Sequence, residues 1–106
     1  MPAKKYVSII SKGNDTIYIK DAEARERFTA RVVNVSSNLS NQTTSIIDGQ
    51  EETVLYKNTG NAEYTITISS TYSSPDGQQL SLTCPVGGYC EVSYLNIGNT
   101  IYVRGV

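Results

Sequence analysis

Two cysteines, Cys84 and Cys90, are the residues whose type and spacing first suggest chemistry. They stand in the stretch TCPVGGYC, with five residues between them that include a proline and two glycines. A structural zinc site needs four ligands, usually Cys or His, and this chain of 106 residues has two cysteines and no histidine. A redox pair normally has the C-x-x-C spacing at the start of a helix. The sequence therefore predicts neither a metal site nor a redox pair, and no cofactor is expected.

The spacing of the two cysteines fits a β-hairpin. Cys84 would end one strand and Cys90 would begin the next, and Gly87 and Gly88 supply the positive φ angles that such a loop requires. A disulfide between the two would close a short loop and add little stability. Because cytoplasmic synthesis favours thiols, reduced and packed cysteines are the first expectation, and a Cys84–Cys90 disulfide is the alternative.

Other catalytic groups are scarce. General acid–base catalysis mostly uses histidine, and the many serines have no histidine partner for a hydrolase triad within one chain. The acidic residues Glu51, Glu52 and Asp76 stand in stretches typical of solvated loops, and no glycine-rich phosphate loop is present. The sequence therefore predicts a protein that is not an enzyme.

The composition indicates one small domain with a modest core, because the aromatic residues are eight tyrosines and one phenylalanine. No apolar stretch is long enough for a membrane span or a signal peptide, so we expect cytoplasmic synthesis. Residues 1–31 carry seven Lys/Arg against four Asp/Glu, a balance of +3, whereas residues 32–106 carry two against six, a balance of −4. The basic excess is too small and too mixed to predict nucleic-acid binding.

Residues 6–19 predict a short β-hairpin. The β-rich runs YVSII (6–10) and TIYI (16–19) flank the turn residues SKGND.

Residues 21–46 predict a helix. Asp21 is a suitable N-cap, and the apolar residues that follow are spaced by four, three, four and seven positions, which is the seam of a coiled coil. Because this segment is rich in Asn and Ser, it needs packing to remain helical. We expect the seam to join sister chains, with packing on the protein's own sheet as the alternative; the predicted oligomerisation residues are Phe28, Val32, Val35, Leu39 and Ile46.

Residues 47–106 predict a C-terminal antiparallel β-sheet or sandwich. EYTITISS (63–70), QLSLTC (79–84) and YCEVSYL (89–95) alternate apolar and polar residues, and turn signals separate them. Together the segments predict an α+β fold: an N-terminal hairpin or anchor over 1–20, a short coiled-coil helix over 21–46, and the β domain over 47–106.

Two parts of the sequence resemble bacteriophage proteins. DTIYIKDAEARERF (15–28) resembles a segment of phage appendage proteins in which Y-x-I-K-D-A-x-A-R leads into the helix of a fibre. VLYKN (54–58), TISSTYSSPDGQQLSLTCP (67–85), GGYCEVSYLNIG (87–98) and TIYVRGV (100–106) are similar to small virion proteins of tailed phages that infect gut bacteria, including crAss-like phages. In that group such chains serve as head fibres. The chain lacks an extended shaft, which favours a short projection on the capsid.

The resemblance implies a non-enzymatic virion structural protein, a head fibre or capsid decoration subunit. Residues 1–20 would attach it to capsid or other virion proteins through Lys4, Lys5 and Tyr6. The β domain would project outward, where exposed Tyr and Thr side chains would contact host-surface glycan.

The expected partners are sister chains, virion proteins and host glycan, without nucleic acid or membrane insertion. We expect a trimer because fibres are often threefold, with a dimer as the alternative. The expected location is the virion, after synthesis in the bacterial host cytoplasm. Two rival functions are a tail or baseplate appendage that binds receptors and a small monomeric carbohydrate-binding module.

Overall fold

A computed structural model describes the backbone of residues 8–12, 15–19 and 28–106, and the side chains of residues 28–106. The described residues contain nine β-strands and no helix. The strands are β1 (Ser8–Lys12), β2 (Asp15–Ile19), β3 (Phe28–Val35), β4 (Leu39–Gln42), β5 (Glu51–Asn58), β6 (Tyr64–Ile68), β7 (Ser81–Cys84), β8 (Tyr89–Ile97) and β9 (Thr100–Gly105).

The strands form two sheets. A six-stranded sheet has the order β1-β2-β3-β5-β8-β9, and a three-stranded sheet has the order β4-β6-β7. The pairs β3–β5 and β4–β6 are parallel, and the remaining pairs are antiparallel. The parallel pairs arise because the chain crosses to the second sheet at β4 and returns at β5, which is the kind of crossover that parallel neighbours need.

The predicted coiled-coil helix over residues 21–46 is wrong, and so is the α+β class. Residues 28–35 form β3 and residues 39–42 form β4, while residues 21–27 lie outside the described residues. Four of the eight side chains in β3 are β-branched, which favours strands over helices. The Asn- and Ser-rich stretch that follows competes with helical hydrogen bonding. The protein is therefore all-β in its described part.

The core lies between the two sheets, so the predicted β-sandwich fits in part. In β5 the even-numbered residues 52–58 are buried and the residues between them are more accessible, which is the period-2 pattern of a strand with one face covered. The buried apolar cluster draws on both sheets: Val35, Val54, Tyr56, Val92, Tyr94 and Val103 from the larger, and Ile66, Ile68 and Cys84 from the smaller.

The loop between β6 and β7 lies along the outer edge of β9. The Ser73 N–H donates to the Ile101 carbonyl oxygen at 2.9 Å, and the Val103 N–H donates to the Ser73 carbonyl oxygen at 2.8 Å. Ser73 and Tyr102 thereby form a parallel β-bridge. This bridge protects an edge that would otherwise expose unpaired backbone groups, and it holds residues 73–75 beside the sheet.

Candidate functional site

The face of the six-stranded sheet that points away from the core carries the candidate site, and we call it the outer face. Because side chains alternate along a strand, the neighbours of the buried residues Val54, Val92, Tyr94 and Val103 project onto this face. It includes exposed apolar side chains: Ile97 retains 56% and Tyr102 retains 47% of its accessible surface.

A groove of about 430 Å³ lies where the outer face meets the β6–β7 loop. Its sheet side is formed by Glu51, Ser93, Leu95, Ile97, Tyr102 and Arg104, and its other side by loop residues 73–75. Strand register fixes the order of these side chains, because Leu95 pairs with both Glu51 and Tyr102, and Ser93 pairs with Arg104. Glu51, Leu95 and Tyr102 thus form one row across three strands, with Arg104 in the next row.

Two charged side chains of the groove have no partner among the residues that the structure describes. Among the described residues, neither Glu51 nor Arg104 makes a side-chain hydrogen bond or an ion pair. The core face differs, because Arg31 there contacts the buried Glu52 at 3.3 Å and Thr44 donates to the same carboxylate at 2.9 Å. The outer-face charges are therefore available to a ligand.

The loop side of the groove is held by its own turn. The Asp76 carboxylate accepts the Gln78 N–H at 2.9 Å and the Ser74 hydroxyl at 3.2 Å, and these hydrogen bonds lower the pKa of Asp76. Gly77 has a φ angle of +74°, which glycine adopts without strain. The Ser74 side chain is thus engaged within the loop, and residues 73–75 present a fixed wall.

The groove combines an apolar floor, an exposed aromatic ring, serine hydroxyls and two opposite charges. Small-molecule sites typically have this composition, with apolar contact area and a few polar groups that set orientation. Such an arrangement can hold a ligand that has one apolar face and a polar rim.

The predicted oligomerisation residues do not form one stripe. Val35 is fully buried in the protein's own core, and Leu39 and Ile46 pack against that core. Phe28 and Val32 are half-buried, and the strand alternation places them on the outer face. The predicted virion-attachment residues, Lys4, Lys5 and Tyr6, lie outside the described residues.

The two cysteines are free thiols on opposite sheets. The buried Cys84 donates to the Tyr56 carbonyl oxygen at 3.2 Å. Burial, followed by the neighbouring Cys84, raises the pKa of Cys90 to about 12. A thiol with so high a pKa is a poor nucleophile at neutral pH. Among the described residues, no group of three or more His, Cys, Asp and Glu side chains could hold a metal ion.

The sequence did not single out the groove residues. Their signal was present in TIYVRGV, where alternation separates Tyr102 and Arg104 from the apolar residues on either side. Which face of β9 remains open depends on where the three-stranded sheet packs, and strand alternation does not contain that information.

No protein-family model, curated protein or solved structure matches this chain. In the described part of the chain, no helix has the length and apolar character to cross a membrane.

Proposed function

We propose that this chain is a non-enzymatic structural subunit of a bacteriophage virion, a head fibre or capsid decoration protein that acts by binding at the particle surface. The sequence resemblance at residues 15–28, 54–58, 67–85, 87–98 and 100–106 suggests the virion. The observation that carries a binding role is the groove around Tyr102, because its charged side chains have no partners within the described residues. Host-surface glycan is the ligand class we propose for it.

Assembly on the particle would not use a coiled coil formed by residues 28–46. We propose a homo-oligomer, a trimer first and a dimer second, attached to capsid or other virion proteins through residues 1–20. Of the five residues first assigned to oligomerisation, Phe28 and Val32 lie on the outer face and remain within reach of a sister chain. Several copies at one position would multiply weak ligand contacts into useful avidity.

Virion membership is tested by mass spectrometry of gradient-purified phage particles from the host culture that produces this chain. We expect its peptides at a fixed ratio to the major capsid protein through successive gradients. A deletion phage serves as the control and should yield intact heads without these peptides. Loss of the peptides on the first gradient would contradict the proposal.

The groove also supports a second candidate, a small monomeric carbohydrate-binding module. The two candidates differ in solution mass, which light scattering measures for the purified full-length chain. A mass of one chain, 11.6 kDa, at all concentrations would favour the module, whereas two or three chains per particle would favour the virion subunit. A tail or baseplate appendage would instead be distinguished by its position on the particle in electron micrographs.

A further inference from the structure

We propose that the groove binds a pyranose sugar that carries a carboxylate, such as a sialic or uronic acid at the end of a glycan, through Tyr102 and Arg104. This inference rests on the proposed glycan-binding role and specifies its ligand class.

The Tyr102 ring supplies the apolar contact. It remains about half exposed at the groove, and in the strand register its neighbour is the half-buried Leu95. A pyranose ring has a face of C–H groups and a rim of hydroxyls, so it packs on an aromatic ring while its hydroxyls stay hydrated. An aliphatic side chain next to the ring extends the surface for that contact.

Arg104 supplies the charge. It lies two residues after Tyr102 on the same face of β9, is exposed, and has no hydrogen-bond or ion-pair partner among the described residues. A guanidinium binds a carboxylate through two parallel hydrogen bonds. A ring on Tyr102 would therefore direct its carboxylate along the strand toward Arg104, and its hydroxyls across the strands toward Glu51.

The net negative charge of residues 32–106 favours a ligand with one acidic group over a ligand with many. Residues 32–106 contain two cations, Lys57 and Arg104, and six acidic residues. This negative balance disfavours long polyanions such as nucleic acid. A single carboxylate bound at Arg104 avoids most of that repulsion, because the charge nearest to it is the positive guanidinium.

Amide NMR titration of the full-length chain tests the proposal. The probes are methyl glucuronide, its neutral amide analogue and methyl N-acetylneuraminide. A monosaccharide in a groove open to solvent should bind with a Kd on the order of 1 mM. We expect shifts at the amides of residues 73–74, 93–97 and 101–104, and about five- to tenfold weaker binding of the amide analogue. Comparison of the two acidic probes distinguishes a uronic from a sialic acid.

Four variants assign the roles. Arg104→Gln should weaken binding of each acidic probe about five- to tenfold and leave binding of the neutral amide unchanged. Lys57→Gln removes the other cation of residues 32–106 at an exposed position outside the groove, so it should have no effect. Tyr102→Ala should abolish detectable binding of all three probes, and Tyr102→Phe should retain it. Each spectrum also reports whether the variant remains folded.

Equal affinity for the acid and the amide would overturn the proposal, as would equal losses from Lys57→Gln and Arg104→Gln. Absence of any shift at 20 mM probe would also overturn it. None of these outcomes bears on virion membership, which particle composition tests separately.

Discussion

Two tyrosine hydroxyls meet inside the core. The Tyr56 and Tyr94 oxygens lie 2.9 Å apart, and both side chains are fully buried. Tyr72 packs edge-on against Tyr94 with ring centroids 6.1 Å apart. Since water does not reach the pair, each hydroxyl depends on the other for its hydrogen bond.

Replacing one tyrosine of this pair should cost more than its hydrogen bond alone. Tyr94→Phe leaves the Tyr56 hydroxyl buried without that partner, so we expect a loss of about 1–3 kcal/mol in the free energy of unfolding. The double variant Tyr56→Phe/Tyr94→Phe should cost little more than either single one, because it leaves no unpaired hydroxyl. Urea denaturation of the four proteins measures the coupling, and strictly additive losses would contradict it.

Strand β3 shows where local sequence fails to decide structure. Phe28, Val32 and Val35 fit a heptad, but Val33 and Val35 fit a strand face equally well, and a segment of eight residues satisfies both periods. The contact that makes this segment a strand is its pairing with β5. That strand begins sixteen residues after β3 ends and lies parallel to it. That contact is not local, so the sequence pattern within 28–46 could not show it.

Where one face of a strand is buried, the alternation of apolar and polar residues predicted the strand better than the heptad spacing predicted residues 28–46. Strands β6 and β7 lie within stretches in which apolar and polar residues alternate, and β8 begins in such a stretch and extends two residues beyond it. Burial of one face imposes that pattern. The turn residues between these stretches also indicated where the strands end.

Val32 and Val35 distinguish the strand from the helix. Both belong to the predicted coiled-coil seam, but Val35 is fully buried in the core and Val32 is half-buried on the outer face. Val35→Ala should cost about 2 kcal/mol in the free energy of unfolding, since it removes two buried methyl groups and leaves a cavity. Val32→Ala should cost below about 1 kcal/mol. Equal losses in urea denaturation would support a shared seam instead.

The whole molecule combines segments that are distant in the chain. The groove needs Glu51 on β5, the loop at 73–75 and residues 93–104 on two further strands. Sequence alone indicated that Tyr side chains would be exposed somewhere on the β domain. The position of the groove required the strand order and the packing of the second sheet, which depend on long-range contacts.

Alkaline pH should weaken the fold as a whole. Burial is the first cause that raises the pKa of Tyr56, of Tyr94 and of Cys90, the last to about 12. In the unfolded chain these groups lose their protons near pH 10 for tyrosine and near pH 9 for cysteine. The folded state holds the protons more tightly, so its advantage is complete below pH 9 and is lost as pH rises from 9 toward 12.

The urea midpoint at pH 7.5 and pH 10.5, at constant ionic strength, measures this effect. We expect a lower midpoint at pH 10.5, and a smaller decrease in Tyr94→Phe, which lacks one of the titrating groups. An unchanged midpoint in the unmodified chain would show that deprotonation is not linked to unfolding.

The proposed place of this chain on a virion is tested most directly by labelling intact particles. Fab fragments raised against residues 73–78, which form one wall of the groove and its turn, would be applied to purified phage and to particles of the deletion phage. We expect regular labelling of the capsid surface on the first and none on the second. Labelling that occurs only after the particles are disrupted, or no labelling at all, would contradict a surface subunit whose groove faces outward.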